Sequence, residues 1–396
     1  MISFLGLGRN TALLLVALVL AGTGERLWLG FAPKYLETLG ASVAIIGLFD
    51  ALQTLLGAVY AYPGGWLTDR FGQRRSLLFF NALSLVGYVL VLAWQHWLAL
   101  FLGGFLFLAW SSLSLPATFA IIAVSLDQSR HTMGVGVQSM FRRVPMIVGP
   151  LVGGALITRF GWEAGIRFAL LGCIALSVAT AVFQWLMVES VPDKGTRLDT
   201  PATSLLFVIK SFSPMLRELL ISDILIRFCE RVPYAFVVLW AMNKAGLTAQ
   251  EFSWLITVEM ATAMICYVPV AHLADKHGKH LFVLVTFLFF TLFPLSLLWA
   301  DDFASLAVAF FIRGLKEFGE PARKALIIAQ APADLRARTY GAYYLIRDCT
   351  VTTGSLCGAC LWSVSPQLNF LVASLCGALG TLWFWRSVFR RRIESA

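Results

Sequence analysis

Residues 65–75 read GWLTDRFGQRR and lie between two long apolar runs. A weaker copy, AHLADKHGKH, occupies residues 271–280 and again separates two apolar runs. The two copies lie about half a chain length apart, and self-similarity at a fixed distance is the mark of a repeated structural unit. The two loops therefore predict a duplicated membrane unit.

The composition places the chain in lipid. Of its 396 residues, 59% are hydrophobic and only 13% are charged, and the mean hydropathy is +0.78. Soluble domains carry about 25% charged residues, so we predict a polytopic membrane protein. All seven cysteines lie within apolar runs, which favours packing roles over a disulfide framework. The apolar run at 11–23 is interpreted as the first span and not as a signal peptide, because no clear small-residue cleavage site follows it.

Hydropathy, punctuated by Gly, Pro and charged residues, predicts twelve helical spans. About 20 apolar residues are needed to cross the ~30 Å hydrocarbon core as a helix, and the period-two alternation of a barrel strand is missing from these runs. The predicted spans are 11–35, 42–66, 76–95, 97–125, 132–158, 165–188, 217–243, 249–271, 280–300, 303–330, 337–363 and 367–389. The predicted fold class is an all-α polytopic membrane protein.

Positive charge is concentrated in alternate connections between the spans. The basic connections include Arg70, Arg74, Arg75, Arg130, Lys194, Arg197, Lys276, Lys279, Arg336, Arg338 and Arg390. The opposite connections carry little beyond Lys34, Arg159, Arg167 and Lys244. The positive-inside rule then puts both termini in the cytoplasm, in agreement with an even number of spans. The net charge of +9 is explained by topology, and no nucleic-acid partner is expected.

The two halves repeat each other at a nearly constant offset. Glu25-Arg26 corresponds to Glu230-Arg231, and Arg142-Arg143 to Arg347-Asp348, in each case 205 residues later. The same offset relates Pro116 to Pro321, Gly149 to Gly354 and Gly153 to Gly358, while an offset of 206 relates Pro63 to Pro269 and Asp69 to Asp275. Parallel repeats of this kind build transporters from two bundles. We expect an N-terminal six-helix bundle at 1–190, a cytoplasmic linker at 191–216 and a C-terminal six-helix bundle at 217–396.

The loop at residues 65–75 resembles the signature loop of the major facilitator superfamily. The degenerate copy around Asp275 is also typical of that family, and the resemblance covers the whole chain. It implies a secondary active transporter that works by alternating access. It also implies that the loop braces the two halves on the cytoplasmic side, which makes gate residues, and not ligands, of Gly65, Asp69, Arg70, Gly72 and Asp275.

The fifth span resembles a Gly/Pro pattern of family members that export solutes in exchange for protons. The residues concerned are Gly136, Pro145, Gly149, Pro150, Gly153 and Gly154, with Pro145 where the pattern has glycine. Small residues four apart let helices approach closely and prolines bend them, so ordinary tight packing is the alternative. We assign Pro145, Gly149 and Pro150 to the conformational set. The span-four arginine of many such exporters is missing, and Arg313 occurs in the equivalent span of the second half.

Charged residues inside the spans are the candidate functional residues. Each costs about 2.5–3.5 kcal/mol at the centre of a membrane helix, and such residues generally serve a function. In span seven Asp223, Arg227, Glu230 and Arg231 are spaced to share one helix face. Span ten carries a second stripe, with Glu320 just before the helix-bending Pro321, and the stripe comprises Arg313, Lys316, Glu317, Glu320, Arg323 and Lys324. Asp50 and Glu259 are further candidates that could equally be interfacial.

The repeat suggests two ion pairs, Glu25 with Arg142 and Glu230 with Arg347. Both pairs could serve only to tie helices together. Arg26 and Arg143 would then lack a carboxylate, whereas Arg231 would have Asp348 as its counterpart. Surplus guanidinium favours a solute with a carboxylate or phosphate group, because Arg binds both in a bidentate manner. Glu317 and Glu320 could bind a solute amine or carry the coupling proton, and Glu320 and Glu230 are the favoured proton carriers.

We therefore predict a transporter that exports a small polar organic solute with an acidic group, coupled to protons. The alternatives are proton-coupled uptake of an organic anion, a cationic or multidrug exporter, and a lipid flippase. The sequence contains no phosphate-binding Gly-Lys-Ser/Thr loop and no catalytic triad at a common depth, so neither ATP use nor an enzyme is expected. We expect no cofactor, no metal, a monomer, and a location in a bacterial inner (plasma) membrane.

Overall fold

The computed structural model describes residues 9–112, 131–187, 205–277, 279–331 and 336–394. Within these residues the regular structure is helical and contains no strand. The helices are α1 Arg9–Arg26, α2 Ala32–Thr38, α3 Val43–Phe71, α4 Gln73–Ala93, α5 Trp97–Phe107, α6 His131–Trp185, α7 Leu205–Lys210, α8 Pro214–Tyr234, α9 Ala249–His277, α10 Lys279–Leu297, α11 Phe303–Leu315, α12 Glu320–Ala329, α13 Arg336–Val364 and α14 Pro366–Glu394.

Each predicted span overlaps at least one of these helices, and residues 113–125 of predicted span four lie outside the described residues. Six segments in the described residues are both long and apolar enough to cross a membrane. Predicted spans five and six form the single segment α6, which is interrupted at Gly161, where φ is +81°. Gly72 separates α3 from α4 with a φ of +85°. Glycine adopts positive φ without the steric cost that a Cβ brings, so both breaks lie where the sequence permits them.

Two departures from the predicted spans have local causes. A short helix, α7, lies inside the predicted linker at 191–216. Predicted span ten is not one helix, because the chain breaks between α11 and α12. A Cβ at Gly319 would lie 2.3 Å from the carbonyl oxygen of Phe282, so only glycine fits there. Pro321 lacks an amide hydrogen and fits the first turn of a new helix better than the interior of a continuous one.

Contacts between α-carbons group the chain into two units. The first comprises Met1–Ala41, Leu55–Arg197 and Thr248–Thr257, and the second comprises Ser42–Thr54, Leu198–Leu247 and Val258–Ala396. The start of α3 thus belongs to the second unit and the start of α9 to the first.

In the first unit, glycines bring α6 against α1. A Cβ at Gly149 would lie 2.5 Å from the Cβ of Arg26, and one at Gly153 would lie 1.7 Å from the carbonyl oxygen of Leu27. Neither position has room for a larger residue. Elsewhere in this unit Asn81 donates from Nδ2 to the carbonyl of Ser177 at 2.8 Å, so that a neutral amide satisfies a buried polar group.

The second unit repeats the same contacts 205 residues later. A Cβ at Gly358 would lie 2.1 Å from the carbonyl oxygen of Val232, and one at Gly354 would lie 3.5 Å from the Cβ of Arg231. These pairs are the counterparts of Gly153 with Leu27 and of Gly149 with Arg26. The predicted internal repeat is therefore present in the helix packing as well as in the sequence.

Candidate functional site

An ion-pair network occupies the second unit and connects five of its helices with the start of α3. Among the described residues its members include six carboxylates and seven cations: Asp50, Asp223, Glu230, Glu259, Glu320 and Asp348 with Arg227, Arg231, Arg313, Lys316, Arg323, Lys324 and Arg347. Charges of this kind are too costly to expose to hydrocarbon. Pairing reduces that cost, because each ion has an opposite charge and hydrogen bonds around it.

Helix α8 supplies the first part of the network from one face. The Arg227 guanidinium lies 3.8 Å from Asp223, one turn earlier, and 2.8 Å from Glu230, three residues later. The same guanidinium also reaches Glu320 of α12, 3.2 Å away. The predicted alternation of sign along this face is confirmed, and Arg227 connects it to the next helix.

The most buried part of the network surrounds Asp223 and Arg323. The Arg323 side chain is 2% exposed and forms ion pairs with Asp223 and with Glu320. Asp223 also accepts a hydrogen bond from the Tyr343 hydroxyl at 3.1 Å and lies 3.5 Å from Arg347. Two cations and a hydroxyl of the C-terminal helices thus converge on a single carboxylate of α8.

The break between α11 and α12 places Lys316 at the end of a helix, where it joins two carboxylates. Its ammonium lies 2.8 Å from Glu230 and 3.3 Å from Glu259 of α9. Arg313 lies 3.1 Å from the same Glu259 carboxylate. Glu259, which the sequence left open as an interfacial residue, is therefore a buried member of the network.

Aromatic rings cover several of the guanidinium groups. Arg347 lies 4.1 Å from the ring centre of Tyr344, and Arg231 lies 4.6 Å from that of Tyr234. Arg313 lies 5.5 Å from the same Tyr234 ring. Cation–π contacts of this kind contribute about 0.5–2 kcal/mol when water is excluded, and they orient the planar groups.

At the edge of the network, Asp50 of α3 contacts α8 and α13. Arg231 lies 3.5 Å from Asp50 Oδ1, and the Ser355 hydroxyl donates a hydrogen bond to Asp50 Oδ2. The approach depends on Gly47, where a Cβ would lie 2.4 Å from the Cβ of Ala359. The Asp50 side chain is 4% exposed, whereas that of Arg231 is 28% exposed.

The predicted pairing within the second half is wrong in its partners. Glu230 pairs with Arg227 and Lys316, and not with Arg347. Arg347 pairs with Asp223 and with its neighbour Asp348, which lies 2.7 Å away. Arg231 consequently has Asp50 as its carboxylate in place of Asp348. Repeat symmetry preserved the helix contacts, but the side chains of 347 and 348 follow one another on α13 and pair locally.

The corresponding residues of the first half are only partly described. Glu25 is buried, and both Glu25 and Arg143 have partners. The side chain of Arg142 lies outside the described residues, so the predicted pair of Glu25 with Arg142 stays a prediction. Arg26 is half-buried on α1, and its backbone is packed against Gly149. Glu317 also has a partner and lies in the turn between α11 and α12.

Comparison with known proteins identifies the family. A sequence model of the Major Facilitator Superfamily matches residues 14–230 and 219–396. The chain belongs to the major facilitator superfamily. It is 24% identical over 408 residues to "Multidrug resistance protein MdtG" of Serratia proteamaculans, which covers 97% of this chain and 94% of that protein. It is 22% identical to "Multi-drug resistance efflux pump PmrA homolog" of Lactococcus lactis, over 97% of this chain and 96% of that protein.

A solved structure agrees with this membership at the level of the fold. A point mutant of the nucleoside transporter NupG superimposes with a TM-score of 0.81 at 12% identity, covering 95% of this chain and 99% of that one. As a major facilitator superfamily member, the chain is a membrane transporter of small-molecule solutes and not an enzyme. The relatives quoted are bacterial, in agreement with the predicted inner-membrane location.

The structure describes some of the predicted gate residues with their side chains and others only by their helix. Gly72 makes the positive-φ turn between α3 and α4, and the exposed Arg70 guanidinium lies 5.2 Å from the ring centre of Trp66. Gly65, Asp69 and Asp275 lie in helices, and their side chains are outside the described residues. On α6, Pro145 lies against Gly22, and the Pro150 carbonyl accepts a hydrogen bond from Ser253 at 2.7 Å.

Sequence reasoning missed Ser355 as a polar partner of the network, and it placed Tyr343 near the charged faces without assigning a partner to its hydroxyl. Ser355 follows Gly354 in a stretch of small residues, and nothing in its surroundings distinguishes it from a packing serine. Tyr343 precedes Tyr344, and only the structure separates their roles, because Tyr343 reaches Asp223 and Tyr344 covers Arg347. The one signal present was helical spacing, since Tyr343 lies one turn before Arg347.

Proposed function

We propose that this transporter exports a small polar organic solute with an acidic group, in exchange for protons. The observation that carries the proposal is the ion-pair network of the second unit, in which guanidinium groups and carboxylates alternate. Guanidinium groups bind an acidic group in a bidentate manner. The carboxylates that lie next to these guanidinium groups can bind an amino group or a proton. A zwitterionic solute therefore matches the network better than a plain anion does.

Apart from Lys324, the most accessible charges of the network are Arg231 and Asp348. Their side chains are 28% and 30% exposed, whereas those of Arg323 and Asp223 are at most 2% exposed. We assign the acidic group of the solute to Arg231 and its amino group to Asp348. Exchange requires the solute and the proton to compete, and an amino group competes with a proton for a carboxylate.

The structure changes which residue we favour as the proton carrier of this exchange. Glu320 has three cationic partners, Arg227, Arg323 and Lys324, and Glu230 has two. Protonation of either would separate several ion pairs at once, which is costly in a buried network. Asp348 has one partner, Arg347, and a larger exposed fraction. Asp348 is therefore the better candidate for proton exchange.

The direction of transport is inferred from the relatives. Two proteins similar to this chain over nearly its whole length are named for multidrug resistance or drug efflux. The Gly/Pro pattern of α6 points the same way. In this proposal the transporter is a monomer that works by alternating access, in which the bundles at 1–190 and 217–396 rock against each other. That motion is controlled by the gate residues Gly65, Asp69, Arg70, Gly72 and Asp275 and by the α6 residues Pro145, Gly149 and Pro150.

A second candidate function is export of cationic drugs. The specific observation in its favour is the charge balance of the network, because its six carboxylates nearly cancel its seven cations and leave little surplus of guanidinium groups in the second unit. The names of the relatives favour the same candidate. A cation competes with protons for a carboxylate directly, so this function would need no acidic group on the solute.

Proton movement in reconstituted liposomes separates the two candidates. The purified protein is reconstituted with a trapped pH dye, and zwitterionic amino acids, organic acids and cationic drugs are added in turn. We expect a pH change with zwitterionic solutes, a loss of roughly tenfold or more in Arg231→Gln, and a loss of proton movement in Asp348→Asn. Glu163→Gln is the matched control, because Glu163 forms an exposed pair with Arg167 at 3.9 Å.

The opposite results are equally informative. A pH change with cationic drugs alone, unaffected by Arg231→Gln, overturns the acidic-group proposal in favour of drug export. If the solute and protons move in the same direction, instead of being exchanged, export is overturned and uptake of an organic anion is supported.

A further inference from the structure

Asp50 differs from every other carboxylate of the network in how it is held. It has one cationic partner, Arg231, at 3.5 Å, and that distance exceeds the 2.7–2.9 Å typical of a charge-assisted hydrogen bond. By contrast Glu230 and Glu259 each have two cations within about 3.3 Å. Asp348 also has one partner, but it pairs with its own chain neighbour and holds no other helix. Asp50 joins two elements through one weak ion pair.

We propose that Asp50 is a proton-binding clasp, which fastens the start of α3 to α8 and α13 when ionised and releases it when protonated. The segment fastened is Ser42–Thr54, which the contacts of the second unit separate from the rest of α3. This inference goes beyond the proposed function, since it holds for any solute and either direction of transport.

The surroundings of Asp50 make its protonation tolerable. Arg231 and Glu230 of α8 are the charged groups that act on Asp50, and α13 presents the hydroxyl of Ser355. A hydroxyl both donates and accepts, so Ser355 does not leave the neutral acid without a partner, but its bond to a neutral acid is weaker than its bond to a carboxylate. Arg231 keeps the ring of Tyr234 at 4.6 Å, and its 28% exposure leaves it open to water.

The clasp supplies the pH-dependent part of the attachment of this segment. The close approach at Gly47 places α3 against α13, and Asp50 lies three residues later on the same helix face. The contact at Gly47 involves only small groups, but the same segment buries Ile46 and Phe49, each 1% exposed, so apolar packing also holds it in place. The ion pair and the Ser355 hydrogen bond are the polar contacts of this face with α8 and α13 in the described residues.

The first unit contains a counterpart of the clasp that cannot titrate. There the start of α9 packs on α6, with Gly154 close to Ala249, and Ser253 donates to the Pro150 carbonyl at 2.7 Å. Pro150 is the repeat equivalent of Ser355, and the equivalent of Asp50 is the buried Leu255. A matched control without an ionisable group is therefore built into the chain.

Distance measurements by pulsed electron paramagnetic resonance test the clasp without any solute. Spin labels are placed at the exposed positions Leu48 and Val364, in a variant lacking native cysteines and reconstituted in lipid nanodiscs. We expect the distance distribution to shift to longer values between mildly alkaline and mildly acidic buffer. A label pair at Val364 and Leu379, on α13 and α14, is expected to stay unchanged.

Substitutions assign the response. Asp50→Asn is expected to give the acid distribution in both buffers, and Arg231→Gln the same, since either removes the ion pair. Ser253→Ala is expected to keep the full pH response. A wild-type distribution that does not change with pH, or an Asp50→Asn variant that still responds, overturns the clasp. Neither result bears on the proposed export, because no solute is present, and loss of solute-driven proton movement alone leaves the clasp intact.

Discussion

The two repeats use the same backbone contacts and very different side chains. Gly153 meets Leu27 in the first unit as Gly358 meets Val232 in the second, 205 residues later. At three network positions of the second repeat, Asp223, Arg227 and Arg313, the first repeat has Leu18, Gly22 and Leu108. The helix contacts are therefore the same in both halves, whereas these three positions are charged only in the second half. The small residues specify the scaffold, and the charged residues specify what the second unit does.

The difference in charge has an energetic consequence. An isolated charge costs about 2.5–3.5 kcal/mol at the centre of a membrane helix, so the second repeat tolerates its charges only as a mutually paired set. In the first unit, Asn81 and Ser177 show a buried polar contact made by neutral groups alone, with hydrogen bonds of 2.8 and 2.7 Å. Substitutions at equivalent places should then affect the two units alike in packing and differently in charge.

The largest effect is expected where the repeats are the same. Gly358→Val and Gly153→Val each insert atoms where a Cβ alone would lie about 2 Å from a carbonyl oxygen. Overpacking of this kind costs typically about 1–3 kcal/mol and more when backbone must move. We expect both variants to lose most of the folded protein, as measured by size-exclusion chromatography of detergent extracts.

The controls for that prediction are glycines with open space around them. No atom lies within 4 Å of a Cβ built at Gly57 or Gly341 among the described residues. Gly57→Ala and Gly341→Ala should therefore leave the yield of folded protein unchanged. A Gly153→Val variant that folds normally would contradict the equivalence of the two contacts.

The next largest effect should be confined to the second unit. Asp223→Asn leaves Arg323 and Arg347 with one carboxylate fewer, and Arg323 is 2% exposed. Breaking one partner of a buried ion pair costs about 3–5 kcal/mol. We expect a loss of that order in the free energy of unfolding, measured by equilibrium unfolding in mixed micelles containing SDS. Glu163→Gln, at an exposed pair of the first unit, should change it by less than about 0.5 kcal/mol.

Whether the sequence predicts a contact depends on how far apart in the chain the two residues lie. The helix face of α8 follows from spacing alone, because Asp223, Arg227 and Glu230 lie within two turns of one another. The glycine contacts follow from the repeat offset, since equivalent helices pack in equivalent ways. The first feature is local and the second follows from the repeat, so both can be predicted from the sequence.

The partners across helices could not be predicted in the same way. Arg231 pairs with Asp50, which lies 181 residues earlier, and nothing in the spacing selects it over Asp348. Lys316, at the end of α11, reaches Glu230 and Glu259 on two other helices, and the spacing along span ten does not select these partners. Choices of this kind depend on distances of a few ångströms between helices, which hydropathy and repeat offsets do not determine.

A smaller effect is expected when one charged pair is converted to its equivalents in the first repeat. Arg313 and Glu259 correspond to Leu108 and Thr54. Arg313→Leu should cost about 1–3 kcal/mol, because Glu259 retains Lys316 at 3.3 Å. The double variant Arg313→Leu/Glu259→Thr should be less destabilised than the sum of the single variants, with a coupling of about 1–3 kcal/mol in the same unfolding assay. Strict additivity would show that this pair contributes nothing to the network.

The smallest effect is expected at the two contacts where the starts of α3 and α9 are held. Ser253→Ala removes a neutral hydrogen bond to the Pro150 carbonyl and should cost about 0.5–1.5 kcal/mol. Ser355→Ala removes a hydrogen bond to the ionised Asp50, and bonds to charged groups contribute about 1.5–3 kcal/mol. The cost of Ser355→Ala should fall to that of Ser253→Ala in the Asp50→Asn background, because the acceptor is then neutral. If Ser355→Ala costs the same in both backgrounds, the charge of Asp50 does not distinguish the two contacts, and the repeats differ there in shape alone.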